Sequence, residues 1–308
     1  MIITITLNAA LDRTQRIEHP LQVGKLNRAV SSHLEPGGKG INVSRAIKAL
    51  GGSSIALGFS AGTNGRIMKD MLTAADIHHD FVDIAGQLRV NTQIIDAQGG
   101  HTEVNEPGNK LDDSDFLRLL DRMENYLDEG NIFVLSGSTP PEFPLKNYRK
   151  LCKTIKKHGC KLIIDAQGEL LQEALGCEPN IFELAEAVGD KPSADPEVVV
   201  HSARKMLDMG AKAVCVSMGQ EGALLTAKDE PESLYVTTTP KIYDEGAVGT
   251  GDAMVGAIAN AMHAGMKFDE VARYAVAMGR ACARLAGTEM ASLKKVYEVY
   301  ETTQVYVL

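Results

Sequence analysis

Hydrophobic and polar positions alternate along this chain with two periodicities, one typical of strands and the other of helices. Five short apolar runs are predicted strands, at residues 2–7, 54–59, 132–136, 161–165 and 213–217. Between them, apolar residues recur at helical spacing, as in the segments 43–50, 67–75 and 116–127. This alternation predicts an α/β fold with a mostly parallel sheet covered by helices on both faces.

Two regions, at about 12–34 and 81–106, interrupt the alternation of predicted strands and helices. Neither has a helical pattern, and in the second one Val90, Thr92 and Ile94 alternate with their neighbours at a period of two. We expect these segments to form a small β-sheet that lies over the site as a lid. The sequence has no repeat and no linker, so we predict one domain over residues 1–308 with the lid strands inserted into it.

Composition narrows the classes of function. The chain has 308 residues, a formal net charge of −8 and no long block of Lys or Arg, which argues against a nucleic-acid partner. No stretch reaches the ~18 apolar residues of a membrane span, and the first residues resemble a strand more than a signal peptide. The five cysteines are scattered and lack a CxxC pair, which is typical of reduced thiols. We therefore expect a cytoplasmic protein without a membrane partner.

The segment Gly249-Thr250-Gly251-Asp252 precedes a helical pattern at 254–261. At a helix start the first backbone N–H groups lack intrahelical partners, and the positive end of the dipole points outward. Such a turn can hold a phosphate, while Asp252 can accept a proton from a hydroxyl group. The pattern indicates phosphoryl transfer from a nucleotide to an alcohol. A glycine loop in which Asp252 only caps the helix is the alternative.

A second glycine-rich helix start lies at residues 36–42. It carries Lys39 inside the turn and Asn42 at its end, but its spacing is not that of a Walker A loop. Together, two anion-binding helix starts can hold two phosphoryl groups, with Lys39 as a point charge. A plain glycine turn with a solvated lysine is the alternative.

With these motifs, the chain resembles the PfkB (ribokinase-like) carbohydrate kinases, specifically their branch of 1-phosphofructokinases and tagatose-6-phosphate kinases. The resemblance covers essentially the whole chain. Its motifs occur in order at 6–12, 24–28, 37–43, 89–91, 105–108, 135–138, 180–183, 216–219 and 248–252. It implies a ribokinase-like three-layer sandwich with a β-sheet lid, ATP and Mg²⁺ as cofactors, and a sugar phosphate as substrate. It also admits a homodimer that forms through the lid.

The resemblance implies a role for each matching residue. Sugar hydroxyls would contact Asp12, Gly37, Gly38 and Asn42, and the existing phosphate would contact Lys25, Lys39, Arg89 and Ser138. Asp252 would be the catalytic base, and the backbone amides of Gly249, Thr250 and Gly251 would stabilise the transferred phosphoryl group. The nucleotide would contact Asn180, Ser217, Gly219 and Gly222, with Glu183 organising Mg²⁺ through water. Without their companions, Lys25 and Arg89 could be solvated lid charges, and Glu183 an exposed helix residue.

The expected reaction is ATP-dependent phosphorylation of a ketohexose phosphate, fructose 1-phosphate or tagatose 6-phosphate, to a bisphosphate. A kinase of an unphosphorylated sugar or nucleoside is a second hypothesis, although a neutral substrate would leave Lys39 and Arg89 without a counter-charge. A third is a catalytically weak binding protein for sugar phosphates or nucleotides. Two departures from the family pattern motivate it, Thr250 in place of alanine and Glu178 where a lysine is usual.

Overall fold

The computed structural model describes residues 1–175, 177, 181–184, 195–239, 249–285 and 287–308, with the backbone alone over 181–184. The strands are β1 (Ile2–Thr6), β2 (Ala10–Ile17), β3 (Ala29–Gly37), β4 (Ile55–Ala61), β5 (His78–His79), β6 (Val82–Ile84), β7 (Arg89–Ile95), β8 (His101–Asn105), β9 (Ile132–Ser136), β10 (Lys161–Asp165), β11 (Ile181–Leu184), β12 (Ala213–Ser217), β13 (Ala223–Ala227), β14 (Leu234–Thr238) and β15 (Thr303–Val307). The helices are α1 (Lys39–Ala49), α2 (Gly62–Ala74), α3 (Asp113–Glu124), α4 (Leu145–Lys157), α5 (Gly168–Leu175), α6 (Pro196–Asp208), α7 (Thr250–His263), α8 (Phe268–Cys282) and α9 (Leu293–Tyr300).

The central sheet confirms the predicted α/β class. Its order is β15-β14-β13-β12-β11-β10-β9-β1-β4-β5, with β6 also paired to β4. From β12 to β5 every pairing is parallel, whereas β13, β14 and β15 form an antiparallel edge. Because β1, β9 and β10 are parallel neighbours, their final residues Thr6, Ser136 and Asp165 meet at one edge of the sheet.

Helices cover both faces of this sheet, as the apolar pattern predicts. On β1, the side chain of Ile2 packs into one core with α1, α7 and α8, while Ile3 and Ile5 pack into the opposite core with α3, α4 and α6. This split follows from the period of two along a strand, which sends successive side chains to opposite faces. The result is three layers, helix, sheet and helix.

A second sheet, the lid sheet, has the order β3-β2-β7-β8. Its strands come from the two regions that lack the alternation of strands and helices. Its β2–β3 and β7–β8 pairs are antiparallel, while β2 and β7 run parallel. The second region is not wholly part of it, however. Residues 82–84 form β6, which pairs with β4 of the central sheet because Val82 packs into the core there.

Two helix starts have the local chemistry that their sequences indicate. Asp112 caps α3 and accepts from the backbone N–H of Asp115, whose carboxylate in turn accepts from the N–H of Asp112. Gly249 caps α7 with a left-handed φ of 82°. Among the described helices, none combines the length and the apolar character that crossing a membrane requires.

Candidate active site

A cavity of about 540 Å³ lies between the lid sheet and the carboxyl edge of the central sheet. The lid contributes polar side chains from β2, β7 and β8, and the central sheet contributes the residues that follow β9 and β10. The two glycine-rich helix starts complete the wall. Predicted site residues in this wall are Asp12, Gly38, Lys39, Asn42, Arg89, Ser138, Gly249, Gly251 and Asp252. Ligands of parallel α/β sheets bind in a crevice at this edge.

Asp252 lies in the first turn of α7 and is 5% exposed. Its Oδ2 accepts a hydrogen bond of 2.8 Å from Nδ2 of Asn42, at the start of α1. One turn further along each helix, Gly256 meets Ala46, and a Cβ on Gly256 would lie 2.6 Å from the Cβ of Ala46. The absence of a side chain at Gly256 therefore lets α7 approach α1 closely enough for Asn42 and Asp252 to bond.

The carboxyl group of Asp252 has a strongly altered acidity. Burial raises its pKa to about 7, and the negative charge of Asp165 acts in the same direction. The charge of Lys39 and the hydrogen bond from Asn42 oppose this rise. A carboxylate with a pKa near 7 is well matched to accepting a proton at neutral pH.

Lys39 connects the first helix start to β10. Its Nζ donates to both carboxylate oxygens of Asp165 at 3.2 Å, and Ser136 Oγ donates to Oδ2 of Asp165 at 2.6 Å. The sequence interpretation missed Asp165. Its signal was available, because it is the last residue of a buried strand and such positions lie at the ligand-binding edge.

Asp12 lies at the lid side of the cavity. Its Oδ1 accepts from Nδ2 of Asn91 at 2.9 Å, and burial raises the pKa of its carboxyl group. Gly37 is beside it, where a Cβ would lie 2.3 Å from Cγ of Asp12. Within the described part of the chain, two buried atoms nearby, Thr6 Oγ1 and Asn91 Oδ1, have no hydrogen-bond partner. Both residues line the cavity, so a polyhydroxylated ligand could satisfy these oxygens.

Arg89 begins β7 and lines the same cavity. Its Nη2 donates to the carbonyl oxygen of Asn8 at 2.8 Å, and Nη1 donates to that of Glu106 at 3.0 Å. Burial lowers the pKa of the guanidinium. Nearby, Asn8 also donates to Ser138 Oγ at 3.4 Å. Arg89 thus places a cation beside the cavity and also holds the lid to the β1–β2 turn.

The predicted nucleotide residues Ser217, Gly219 and Gly222 line a second, smaller cavity of about 90 Å³. Thr250 and Gly251 form part of its wall, and Gly251 also lines the larger cavity. The start of α7 therefore stands between the two spaces. Arg280, a buried residue of α8 that sequence reasoning missed, also lines the smaller cavity. Its helical position among apolar neighbours gave no signal.

Of the other predicted residues, one does not line these cavities and two lie outside the part that the structure describes. Lys25 lies on an exposed turn, and its role in holding phosphate stays a prediction. Asn180 and Glu178 are outside the described residues, as is the side chain of Glu183, whose backbone belongs to β11. Over the ranges that the structure describes, no cluster of three or more His, Cys, Asp or Glu side chains has the arrangement of a metal site.

Comparisons with known proteins identify the family of the chain. The family model described as pfkB family carbohydrate kinase matches residues 3–295. The chain is 34% identical to the 1-phosphofructokinase of Bacillus subtilis over 288 residues, which cover 92% of each protein. It is 32% identical to the ATP-dependent 6-phosphofructokinase isozyme 2 of Escherichia coli over 307 residues, which cover 97% of each.

Solved structures show the same likeness. The crystal structure of phosphofructokinase-2 from Escherichia coli in complex with potassium superposes with a TM-score of 0.91 at 29% identity, over 97% of this chain and 98% of that one. Ribokinase of Arabidopsis thaliana has a TM-score of 0.75 at 20% identity, with 97% of this chain and 98% of that one covered. This second likeness concerns the fold alone, and it confirms the ribokinase-like class.

Proposed function

The chain belongs to the pfkB family of carbohydrate kinases, and from that premise we propose that it transfers the γ-phosphoryl group of ATP to a ketohexose phosphate. One observation carries the proposal: a buried carboxylate, Asp252, sits at a helix start that separates two cavities. The larger cavity suits a phosphorylated sugar, and the smaller one suits the phosphates of a nucleotide. The product would be a ketohexose bisphosphate.

In this reaction, Asp252 takes the proton of a primary hydroxyl group of the sugar as its oxygen attacks the γ-phosphorus. The new O–P bond forms while the bond to the β–γ bridging oxygen breaks, and ADP leaves with that electron pair. Within α7 the first backbone bond runs from Ala253 N to Gly249 O. The amides of Thr250 and Gly251 are therefore available to stabilise the charge on the transferred group.

The phosphate that the substrate already carries would meet the positive side chains of the larger cavity. Lys39 and Arg89 supply charge, Arg89 with a planar set of donors, and Ser138 adds a hydroxyl group. The sugar hydroxyls would bond to Asp12 and to the free oxygens Thr6 Oγ1 and Asn91 Oδ1. A neutral sugar would bond to these sugar-binding groups alone and would not use Lys39, Arg89 and Ser138.

The smaller cavity fits the phosphates of ATP. Backbone from Gly219 and Gly222, the hydroxyl of Ser217 and the amides at the start of α7 surround it, and such helix starts bind anions. Mg²⁺ keeps several waters and uses few protein carboxylates, so it would be held mainly through water and the phosphates of the nucleotide. When bound, it would neutralise charge on the phosphates. The water-mediated role of Glu183 belongs to this proposal.

Two ketohexose phosphates remain from the sequence interpretation, fructose 1-phosphate and tagatose 6-phosphate. The relative named 1-phosphofructokinase, at 34% identity over 92% of this chain, favours fructose 1-phosphate. The relative named 6-phosphofructokinase, at 32% identity, supports fructose 6-phosphate as a second candidate. Fructose 6-phosphate and tagatose 6-phosphate carry the phosphate at the opposite end of the sugar from that of fructose 1-phosphate. The preferred substrate therefore shows which end of the sugar lies beside Lys39 and Arg89.

A homodimer through the lid is part of the proposal. The lid exposes apolar side chains near its turns and edges, including Val23, 95% exposed, and Leu26, 76% exposed. Val30 on β3 and Val104 on β8 are also exposed. Light scattering of the wild type and of a Val23→Asp/Leu26→Asp variant tests it, and a monomeric wild type would contradict it.

An ADP-release assay over a panel of sugars tests the reaction itself. We expect release with fructose 1-phosphate, and phosphorus NMR should then identify a bisphosphate. Fructose 6-phosphate, tagatose 6-phosphate, free fructose, ribose and a nucleoside complete the panel. Turnover with an unphosphorylated compound alone, or no turnover with any compound despite ligand binding, would contradict the proposal.

A further inference from the structure

We propose that Arg45 is a positioning residue, which holds the amide of Asn42 in the orientation that donates to Asp252 and ties that orientation to the lid. This inference rests on the proposed function, because it assigns Asp252 the part of the base. Arg45 lies on α1, three residues after Asn42, and it was not among the residues predicted for the site.

The amide of Asn42 has two chemically opposite ends. Its Nδ2 donates to Oδ2 of Asp252 at 2.8 Å, and its Oδ1 accepts from Nη1 of Arg45 at 3.2 Å. A guanidinium group carries donors only, so it can face only the oxygen end of the amide. If the amide rotated by 180°, its NH₂ group would face Arg45 and its oxygen would face the carboxylate of Asp252. Arg45 therefore selects the orientation in which Asn42 supports a charged Asp252.

The guanidinium is itself held on two sides. Its Nη2 bonds to Oε1 of Glu35 at 2.5 Å, and its Nη1 also donates to Oγ1 of Thr288 at 2.9 Å. The hydroxyl of Thr288 donates to the second oxygen of Glu35 at 2.9 Å, which closes a ring of hydrogen bonds. The side chains of Arg45 and Glu35 are only 15% and 12% exposed, so solvent weakens this ion pair little.

Glu35 belongs to the lid strand β3, two residues before the strand ends at Gly37. Thr288 lines the same cavity as Asp252. The lid, the first helix start and the cavity wall therefore meet at one guanidinium. When β3 is in the position seen here, Arg45 is fixed and Asn42 faces Asp252. Displacement of β3 would remove one of the two anchors of that guanidinium.

The charged and polar groups that face Asp252 set the pKa of its carboxyl group. A change in one of them would therefore appear in the pH dependence of kcat. Asp165, the last residue of β10, and Asp12, on the lid, favour its protonated form, whereas Lys39 and the Asn42 amide on α1 favour its charged form. Arg45 and Glu35 also act electrostatically on Asp12. Loss of the amide donor removes one of the two influences that lower the pKa of Asp252. The acid limb of kcat against pH would then move to higher pH.

The test compares the wild type with Arg45→Gln, Arg45→Lys and Glu35→Gln in kcat and KM from pH 5.5 to 9. For Arg45→Gln we expect a loss in kcat of about 10-fold or more at pH 6.5 and a smaller loss at pH 8.5, since one hydrogen bond to a charged group is involved. Arg45→Lys keeps a donor-only cation and should restore part of the rate. Glu35→Gln should move the acid limb in the same direction by less.

Arg118→Gln is the matched control, because Arg118 pairs with Asp115 on α3 and neither residue lines the cavity. It should keep the wild-type pH profile. In an Asn42→Ala background, Arg45→Gln should produce no further displacement of the acid limb, because the amide it positions is gone. Thermal melts of every variant establish that it is folded.

The outcomes separate the two proposals. If the wild type phosphorylates none of the sugar phosphates, the proposed function fails. If the wild type is active while folded Arg45→Gln keeps the same acid limb, or loses the same fraction of kcat at every pH, the positioning role is overturned. If Arg45→Gln does not fold, Glu35→Gln and Thr288→Val carry the test, and an unchanged acid limb in both overturns the inference.

Discussion

Asn42 donates to Asp252 across 210 positions of sequence, and this bond of 2.8 Å joins the two glycine-rich helix starts of the protein. The close approach of α1 and α7 at Ala46 and Gly256 makes the contact geometrically feasible. The two glycine-rich helix starts therefore lie side by side in one site. A sugar phosphate and a nucleotide bound at them would lie on opposite sides of the start of α7.

Replacing Asp252 with asparagine should reduce turnover by about 10²–10⁴, which is the usual contribution of a general base. The amide keeps the shape of the carboxyl group but cannot accept the proton. Sugar-phosphate binding, measured by calorimetry, should survive. Asp121→Asn, an exposed position on α3, is the control and should keep full activity. A rate like that of the wild type in Asp252→Asn would rule out this residue as the base.

The α/β class and the lid follow from the sequence because apolar periodicity reports which face of an element is buried. Predicted strands at 132–136, 161–165 and 213–217 coincide with β9, β10 and β12. The prediction did not distinguish β6 from the lid, since the short run at Val82 alternates like its neighbours. Only its packing beside Phe59 of β4 assigns it to the central sheet.

Much of the site was also predictable, because its residues lie at helix starts and strand ends that carry recognisable motifs. The partners that tune these residues were not. The charge of Asp165 acts on Asp252, and Arg45 bonds to Thr288, between distant segments of the chain, and no local spacing encodes such contacts. A residue of this kind is found when the strand order and the helix packing are known.

Replacing Asp165 with asparagine should move the acid limb of kcat to lower pH. In the wild type we expect this limb near the pKa of Asp252, about 7. The charge of Asp165 raises that pKa, so its removal lowers it and leaves more base ionised in acid. At pH 6, kcat as a fraction of its plateau should rise by about 2- to 5-fold. Ser136→Ala removes a hydrogen bond to Asp165 without changing charge, and its limb should stay in place. A limb that stays or rises in Asp165→Asn contradicts the assignment.

Replacing Arg89 with alanine should raise KM for the sugar phosphate by about 10- to 100-fold and lower kcat much less. The substrate's own phosphate is present in the ground state and the transition state alike, so losing its partner removes uniform binding. Arg89→Lys keeps the charge but not the planar set of donors, and its KM should lie between those of the wild type and Arg89→Ala. Arg13→Ala, exposed on the lid strand β2, is the control. An unchanged KM would make Arg89 a support of the lid alone.

The stability of the protein should record the burial of Asp252. Its pKa rises from 3.8 in an unfolded chain to about 7 in the folded one. Between these values the folded protein holds a proton that the unfolded chain has released, so this group makes stability fall as the pH rises from about 4 to 7. Asp252→Asn removes the buried charge and should raise Tm at pH 8, by on the order of 3 °C or more for a chain of this length.

The gain in Asp252→Asn should shrink as the pH falls below 7 and should be small at pH 4, where the folded carboxyl group is neutral and the unfolded one is partly protonated. Calorimetric melts of both proteins at pH 8, 6 and 4.5 measure this trend. Asp121→Asn, which is exposed, should show no comparable dependence of ΔTm on pH. A lower Tm at pH 8 would mean that the charge is stabilised in the fold. Such a result would also remove the reason for expecting the base to ionise near neutral pH.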